Sequence, residues 1–178
     1  MAVSKWVLDP AHSEVNFSVR HMMISRVNGT FHKFDANLEL DPEDLTTAKV
    51  EFTVDLASVD TRNADRDNHL RSPDFFDVEN HPKMTFTSTS IEKVGDKEYK
   101  VTGDLTIRGK TLPQTFTVTV EGLAKNPFTG IESAGFIAKG EIDRKDYGLV
   151  WNFALEGGGV LVGEKVNVEV VVEATREQ

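Results

Sequence analysis

EVNFSVRHM, residues 14–22, alternates without a break: Val15, Phe17, Val19 and His21 fall on one side, Glu14, Asn16, Ser18 and Arg20 on the other. Helical spacing would scatter these apolar residues around a cylinder, whereas a strand sends successive side chains to opposite faces. The stretch is a half-buried strand. Whether that period of two persists decides what kind of fold surrounds it.

It persists along most of the chain. FHKFDANLELD (31–41) places Phe34, Ala36, Leu38 and Leu40 on one face, and KVEFTVDLAS (49–58) does the same with Val50, Phe52, Val54 and Leu56. Met84 and Phe86 begin another run in KMTFTSTSIEKV (83–94), where Ser88 and Ser90 then take the same face. Tyr99, Val101, Leu105 and Ile107 alternate next, followed by Phe116, Val118 and Val120, by Phe136, Ala138 and Ile142, and by Val166, Val168, Val170 and Val172. Turn signals at Asp41-Pro42, Gly95-Asp96, Gly109-Lys110 and Asn126-Pro127 separate these runs. The pattern predicts an all-β, antiparallel protein of about eight strands, either a barrel or a sandwich. Closure into a barrel removes exposed edges, and glycines at strand positions or ends (Gly103, Gly109, Gly140, Gly148) suit bends or bulges at its corners.

One segment breaks the rhythm. TRNADRDNHLR (61–71) is polar, nearly free of β-branched residues, and stops at Ser72-Pro73, where the residue before proline avoids helical geometry. It predicts a short helix, with Asp67 and Arg71 spaced to pair on a solvated face. Asp74-Phe75-Phe76 follows directly.

Length and composition set limits. At 178 residues the chain suits one domain, 1–178. A net charge of −9 argues against a nucleic-acid partner and against anionic membrane surfaces. With no cysteine, disulfides and thiolate chemistry are excluded. The N-terminal MAVSKWVLDPAHSEV lacks the apolar core of a secretory signal, and no 18-residue apolar run exists. No integral membrane segment is expected; a cytoplasmic location is the default expectation, with a mature secreted form as the alternative.

Catalytic and metal motifs are missing from the sequence. His69 and His81 are split by Pro73 and match no zinc spacing, so neither a metal nor another cofactor is expected. There is no Gly-x-Ser-x-Gly elbow, and Ser13 beside His12 would point to the opposite face of a strand. GGGVLVG (157–163) lacks the Gly-Lys-Ser/Thr ending of a phosphate loop and reads as a flexible loop before the last strand. His21, on an apolar face, is either a satisfied core histidine or a polar anchor at one end of a ligand cavity. Eleven phenylalanines supply bulk without polar handles, and six fall on inward faces: Phe17, Phe34, Phe52, Phe86, Phe116 and Phe136. A core filled by those rings and a cavity lined by them are indistinguishable at this level.

A resemblance separates the two. Trp6-x-x-Asp9-x-x-His12-Ser13-x-x-x-Phe17-x-x-x-His21 and Gly29-x-Phe31-x-x-Phe34 open the match. Ser58-Val59-Asp60-Thr61, Arg66-Asp67-x-His69-Leu70 and Asp74-Phe75-Phe76 carry it on, and Gly103-Asp104-Leu105-Thr106-Ile107-x-Gly109 and Arg144-x-Asp146-Tyr147-Gly148 complete it. In this order the chain resembles the YceI-like family of lipocalin-like, polyisoprenoid-binding proteins. The resemblance implies a lipocalin-like barrel with a helical insertion and a hydrophobic channel for a polyisoprenoid or other long-chain lipid, bound without catalysis. It implies that Phe17, Val19, Leu38, Phe52, Val54, Phe86, Phe116 and Phe136 line the channel together with Phe34. Phe75 or Phe76 would dip into it from the helical segment, and His21 or Arg144 would meet the head group. Arg66, Asp67 and His69 would be structural staples, with Arg66–Asp60 and Asp67–Arg144 as conceivable pairs. A homodimer is extended from other members. Two rivals remain open: an enzyme acting on bound lipid through His21, His69 or a carboxylate, and a solidly packed stress or interaction protein.

Overall fold

The structure, a computed structural model, describes residues 3–152, 155 and 161–177. Eleven strands and one α-helix are present among them. The strands are β1 (Ser4–Leu8), β2 (Glu14–His21), β3 (Ser25–Phe31), β4 (Phe34–Leu40), β5 (Lys49–Asp55), β6 (Val59–Asp60), β7 (Lys83–Lys93), β8 (Glu98–Ile107), β9 (Lys110–Lys125), β10 (Glu132–Asp143) and β11 (Val162–Arg176). The helix α1 spans Ala64–Arg71. Every pairing is antiparallel.

The sheet runs β1-β4-β5-β7-β8-β9-β10-β11 and closes on itself because β1 also pairs with β11. Those eight strands are the barrel. On the edge away from β10, strand β11 is long enough to serve two neighbours: its C-terminal part, Ala174–Arg176, holds β1, while Val162–Val171 holds β2. Strands β2, β3 and β6 therefore branch off at one end. Seven of the eight runs legible in the sequence belong to the closed barrel. The run that announced the fold, 14–22, stands in the branch, and its barrel counterpart is β1. Strands β1 and β3 escape a pattern search because one is five residues long and the other carries Gly29 in place of an inward side chain.

Bulges explain the irregular runs. The β7–β8 register shifts between Ser88 and Ser90. That shift turns Ile91 to the inner side with Met84 and Phe86, so the two serines do not break the wall. Gly103 lies opposite that bulge, as expected, and both Gly103 and Gly140 also accommodate rings. A Cβ on Gly29 would lie 2.2 Å from Cζ of Phe17, one on Gly140 2.5 Å from the Phe116 ring, and one on Gly103 2.6 Å from the Phe86 ring. Each ring lies flat against a gap in the wall rather than across the barrel. At Gly103 the carbonyl oxygen of Thr87 is also only 2.4 Å away, and backbone cannot step aside. Gly103→Ala is therefore expected to destabilise by about 2 kcal/mol through overpacking. Gly122→Ala, with nothing within 4 Å, should be neutral or slightly stabilising. Urea midpoints of the two variants check the pair.

The helix begins where Asn63 accepts a 3.0 Å hydrogen bond from the Arg66 amide and ends at Ser72, before the proline. It starts at Ala64 rather than at Thr61 because Thr61 has another task. Asp67 is buried and its carboxylate accepts from both the amide (2.8 Å) and the hydroxyl (2.6 Å) of Thr61. Arg66 donates to the Thr61 hydroxyl and carbonyl, both at 2.7 Å. The expected Asp67–Arg71, Arg66–Asp60 and Asp67–Arg144 pairs are thus not made. Arg71 instead donates to the carbonyls of Ala57 and Val59, tying the helix to the segment before it. The loop expectation at 157–163 falls largely outside the described residues; from Val162 onward the chain is strand. Among the described residues no helix is long and apolar enough to cross a membrane.

Candidate functional site

The barrel encloses a cavity of about 650 Å³. Along β11 its wall includes Val162, Val166, Val168, Val170 and Val172. At about 3.3 Å per residue that is a path of about 30 Å, nearly the length of the barrel. The far end is bounded by Leu40, Leu45, Ala48 and Tyr99, with Trp6 buried in the layer that backs it. The near end lies where β2 finishes and α1 begins, and most of the polar residues that reach the cavity gather there: Arg20, His21, Asn63, Asp65, Arg66 and His69. The interior is hollow rather than stuffed with its own side chains.

Of the residues singled out from the sequence, Phe17, Val19, His21, Leu38, Phe52, Val54, Phe86, Phe116 and Phe136 border this space, and so do both Phe75 and Phe76. Phe34 does not. Its ring stacks on Phe52 at 5.9 Å and 13°, so it backs a wall residue instead of lining the wall. Several lining residues had no pattern to reveal them, notably Leu45, Trp151 and Leu161, which lie outside the alternating runs. Leu70 is reached through the one-sided contact of α1 with the core, and Phe31 through the overlooked strand β3.

The segment after α1 is a fixed plug. Phe76 packs edge-on to Phe31 at 5.9 Å, and Arg108 Nη1 donates to the Phe75 carbonyl at 2.8 Å. Phe75 is buried against Leu105, Ile107, Ile142, Tyr147 and Leu149. His69 meets Phe75 and Trp151 edge-on at 5.0 and 4.6 Å while its Nε2 is 2.8 Å from Asp74 Oδ2. That imidazole is a spacer between rings with one carboxylate partner. Tyr147 is fully buried, and burial pushes its phenol pKa up against the lowering influence of Gln114.

Arg144 borders the cavity, and four of its five N–H donors go to backbone carbonyls. Nε donates to the Gly163 carbonyl at 2.7 Å, Nη1 to Leu149 and Trp151 at 2.6 and 3.0 Å, and Nη2 to Val162 at 3.2 Å. It is 5 % exposed and lies 5.8 Å from the Phe75 ring centroid. Burial draws its pKa down, and an arginine so enclosed still keeps its charge. The guanidinium clamps the chain around the near end and, as expected, also borders the cavity. His21 differs: its ring has no hydrogen-bond partner among the described residues and borders the same end.

The structure also assembles something that sequence spacing does not show. Asp9, His12 and Glu173 bring their ligand atoms within 4.8 Å of one another. His12 Nδ1 lies 2.7 Å from Asp9 Oδ2 and 3.3 Å from Glu173 Oε2. The Asp9 carboxylate raises the imidazole pKa, and the imidazole in turn holds Asp9 low. Next to it, buried Ser13 accepts from the Glu173 amide at 3.1 Å. Together these clasp the β1–β2 connection onto β11, outside the cavity.

A model of the YceI-like domain family matches residues 6–174. A UPF0312 protein of Staphylococcus epidermidis is 46% identical over 171 residues, covering 96% of this chain and 97% of that one. The crystal structure of Burkholderia cenocepacia BcnA superposes with a TM-score of 0.80 at 28% identity, over 93% of this chain and 98% of BcnA. A polyisoprenoid binding domain from Saccharophagus degradans, implicated in plant cell wall breakdown, shares the fold with a TM-score of 0.74 at 16% identity, over 98% and 99% of the two chains. None of these proteins carries an enzymatic name. With its barrel, its buried channel and a match along nearly its whole length, the chain belongs to the YceI-like domain family.

Proposed function

We propose that this protein is a non-catalytic carrier that encloses one long-chain lipid, of polyisoprenoid or related type, with the chain in the barrel and the polar head at the α1 end beside His21. The observation that carries the proposal is the cavity itself: about 650 Å³, lined almost throughout by aliphatic and aromatic side chains and running most of the barrel's length. Cavities of this size hold small ligands with most of their surface buried. Each methylene moved from water into such a space contributes about 0.8 kcal/mol, so ten contribute about 8 kcal/mol before the cost of association. The isoprenoid class is suggested by the distant Saccharophagus neighbour, which at 16% identity lends its fold alone. The chemistry of the wall supports any long apolar chain. Catalysis has no support at the near end: His69 is wedged between two rings and held by Asp74, and Arg144 is committed to carbonyls.

Organic extraction of the purified protein followed by mass spectrometry should return a long-chain lipid in near-stoichiometric amount. Clean extracts from several expression hosts, together with no uptake of added polyprenol, would overturn the proposal.

A further inference from the structure

The β2–β3 connection carries three consecutive exposed apolar residues. Met22, Met23 and Ile24 form its tip and are 41%, 47% and 80% exposed. Met22 and Met23 both hold left-handed backbone, φ 52° and 63°, where asparagine or glycine would sit without strain. The turn is nonetheless anchored: the Met22 amide donates to the Leu161 carbonyl at 2.8 Å and the Ile24 amide to the His21 carbonyl at 3.1 Å. Leu161 and His21 border the near end of the cavity, so the apolar tip stands on its rim. Val150, 60% exposed and not itself on the cavity, lies between the lining residues Leu149 and Trp151.

Just below the tip, Arg20 and Arg26 are directly opposed across the two strands and both are exposed. Like charges in that position repel. Arg20 donates to the Met23 carbonyl at 2.8 Å, and neither arginine forms an ion pair among the described residues. Two unpaired cations are thus held together in a chain whose net charge is −9. Apolar side chains at a tip with arginines one step behind match the layering of a bilayer: acyl chains first, then phosphates, with long cationic side chains reaching back to the headgroup level.

We propose that this turn docks on a phospholipid bilayer, with Met22, Met23 and Ile24 entering the acyl boundary and Arg20 and Arg26 meeting lipid phosphates, so that the cavity's near end faces its lipid source. A second copy of the chain is a poorer occupant. A symmetric contact would set each arginine pair against its own copy, and three side chains fall far short of the roughly 800 Å² per partner of a stable interface. The overall negative charge opposes long-range attraction to anionic surfaces; phosphates of zwitterionic lipids accept arginine without that repulsion. The purpose of the contact rests on the carrier reading, but the contact itself can be measured without cargo.

The test uses phosphatidylcholine vesicles in flotation, and a fluorescent polyprenol supplied either in those vesicles or in octyl glucoside micelles. The intact chain should float with empty vesicles. The double variant Met23→Asp/Ile24→Asp should bind them at least tenfold more weakly, and Arg26→Glu severalfold. From vesicles, the double variant should load at least tenfold more slowly, while loading from micelles stays unchanged because neither residue borders the cavity. An intact chain that does not float overturns the docking proposal, as does a double variant that floats equally well. A change of oligomeric state in light scattering without a change in flotation also overturns it, by assigning the tip to a contact between copies. Flotation that persists with no loading from micelles upholds the docking and removes the carrier reading instead.

Discussion

Ala138→Trp is expected to abolish tight binding of long lipid chains while short chains still bind. Ala138 borders the cavity on β10, paired with Val118 on β9 and Val170 on β11, toward the Tyr99 end. An indole there would project into empty space rather than into packed neighbours, so no native contact is sacrificed and stability should change by about 1 kcal/mol or less, below the usual cost of overpacking a dense core. The ligand bears the consequence. Every methylene turned back from the far end forfeits about 0.8 kcal/mol. A block that expels about six of them forfeits about 5 kcal/mol, and at 1.4 kcal/mol per decade this is more than a thousandfold in affinity. Titration with a series of prenols of increasing length reads the effect: in the intact protein affinity climbs with length, and in the variant it levels off early. Identical length dependence in both would mean that the chain does not run to the Tyr99 end.

That the space exists at all is what the sequence conveyed least. Alternation is a direct imprint of the pleat, so the barrel strands were legible wherever a long enough run kept the pattern. Eight strands were found in this way, seven of them in the closed barrel, while β1, too short, and β3, interrupted by Gly29, were not. Whether inward phenylalanines fill a barrel or merely line it depends on what lies beneath each ring. Here Gly29, Gly103 and Gly140, all at inward positions, let Phe17, Phe86 and Phe116 lie back against the wall. Inward glycines near inward phenylalanines were the readable sign of a hollow, but the pairing needs the register between strands, which only the fold supplies. The same limit misled the reading of charged residues. Asp67 and Arg71 looked like a solvated pair from their spacing, yet Asp67 is buried on Thr61. For Arg144, nothing in RKDYG shows that four carbonyls already hold the guanidinium that borders the cavity.

That arginine supplies the other large effect. Arg144→Met keeps an unbranched apolar stem but removes every donor, which leaves the carbonyls of Leu149, Trp151, Val162 and Gly163 without their partner. A hydrogen bond to a charged group contributes about 1.5–3 kcal/mol, and an orphaned buried acceptor costs about 1–3 kcal/mol. Because the chain around the near end can rearrange to hydrate some of them, the net loss should be about 4 kcal/mol rather than the full sum. Arg144→Lys keeps the charge but not the fork, since one ammonium cannot serve the four carbonyls that Nε, Nη1 and Nη2 reach; it should recover about half of the loss. Denaturation midpoints give the stability. The off-rate of a bound fluorescent lipid gives the second readout, because a clamp on the cavity's near end that opens more often must let its cargo out faster. Both variants should release lipid faster than the intact protein, Arg144→Met by about tenfold or more. A head-group anchor would behave differently: its loss would weaken lipids with polar heads and spare plain hydrocarbons. Equal acceleration for a prenol and for a hydrocarbon of the same length identifies the clamp.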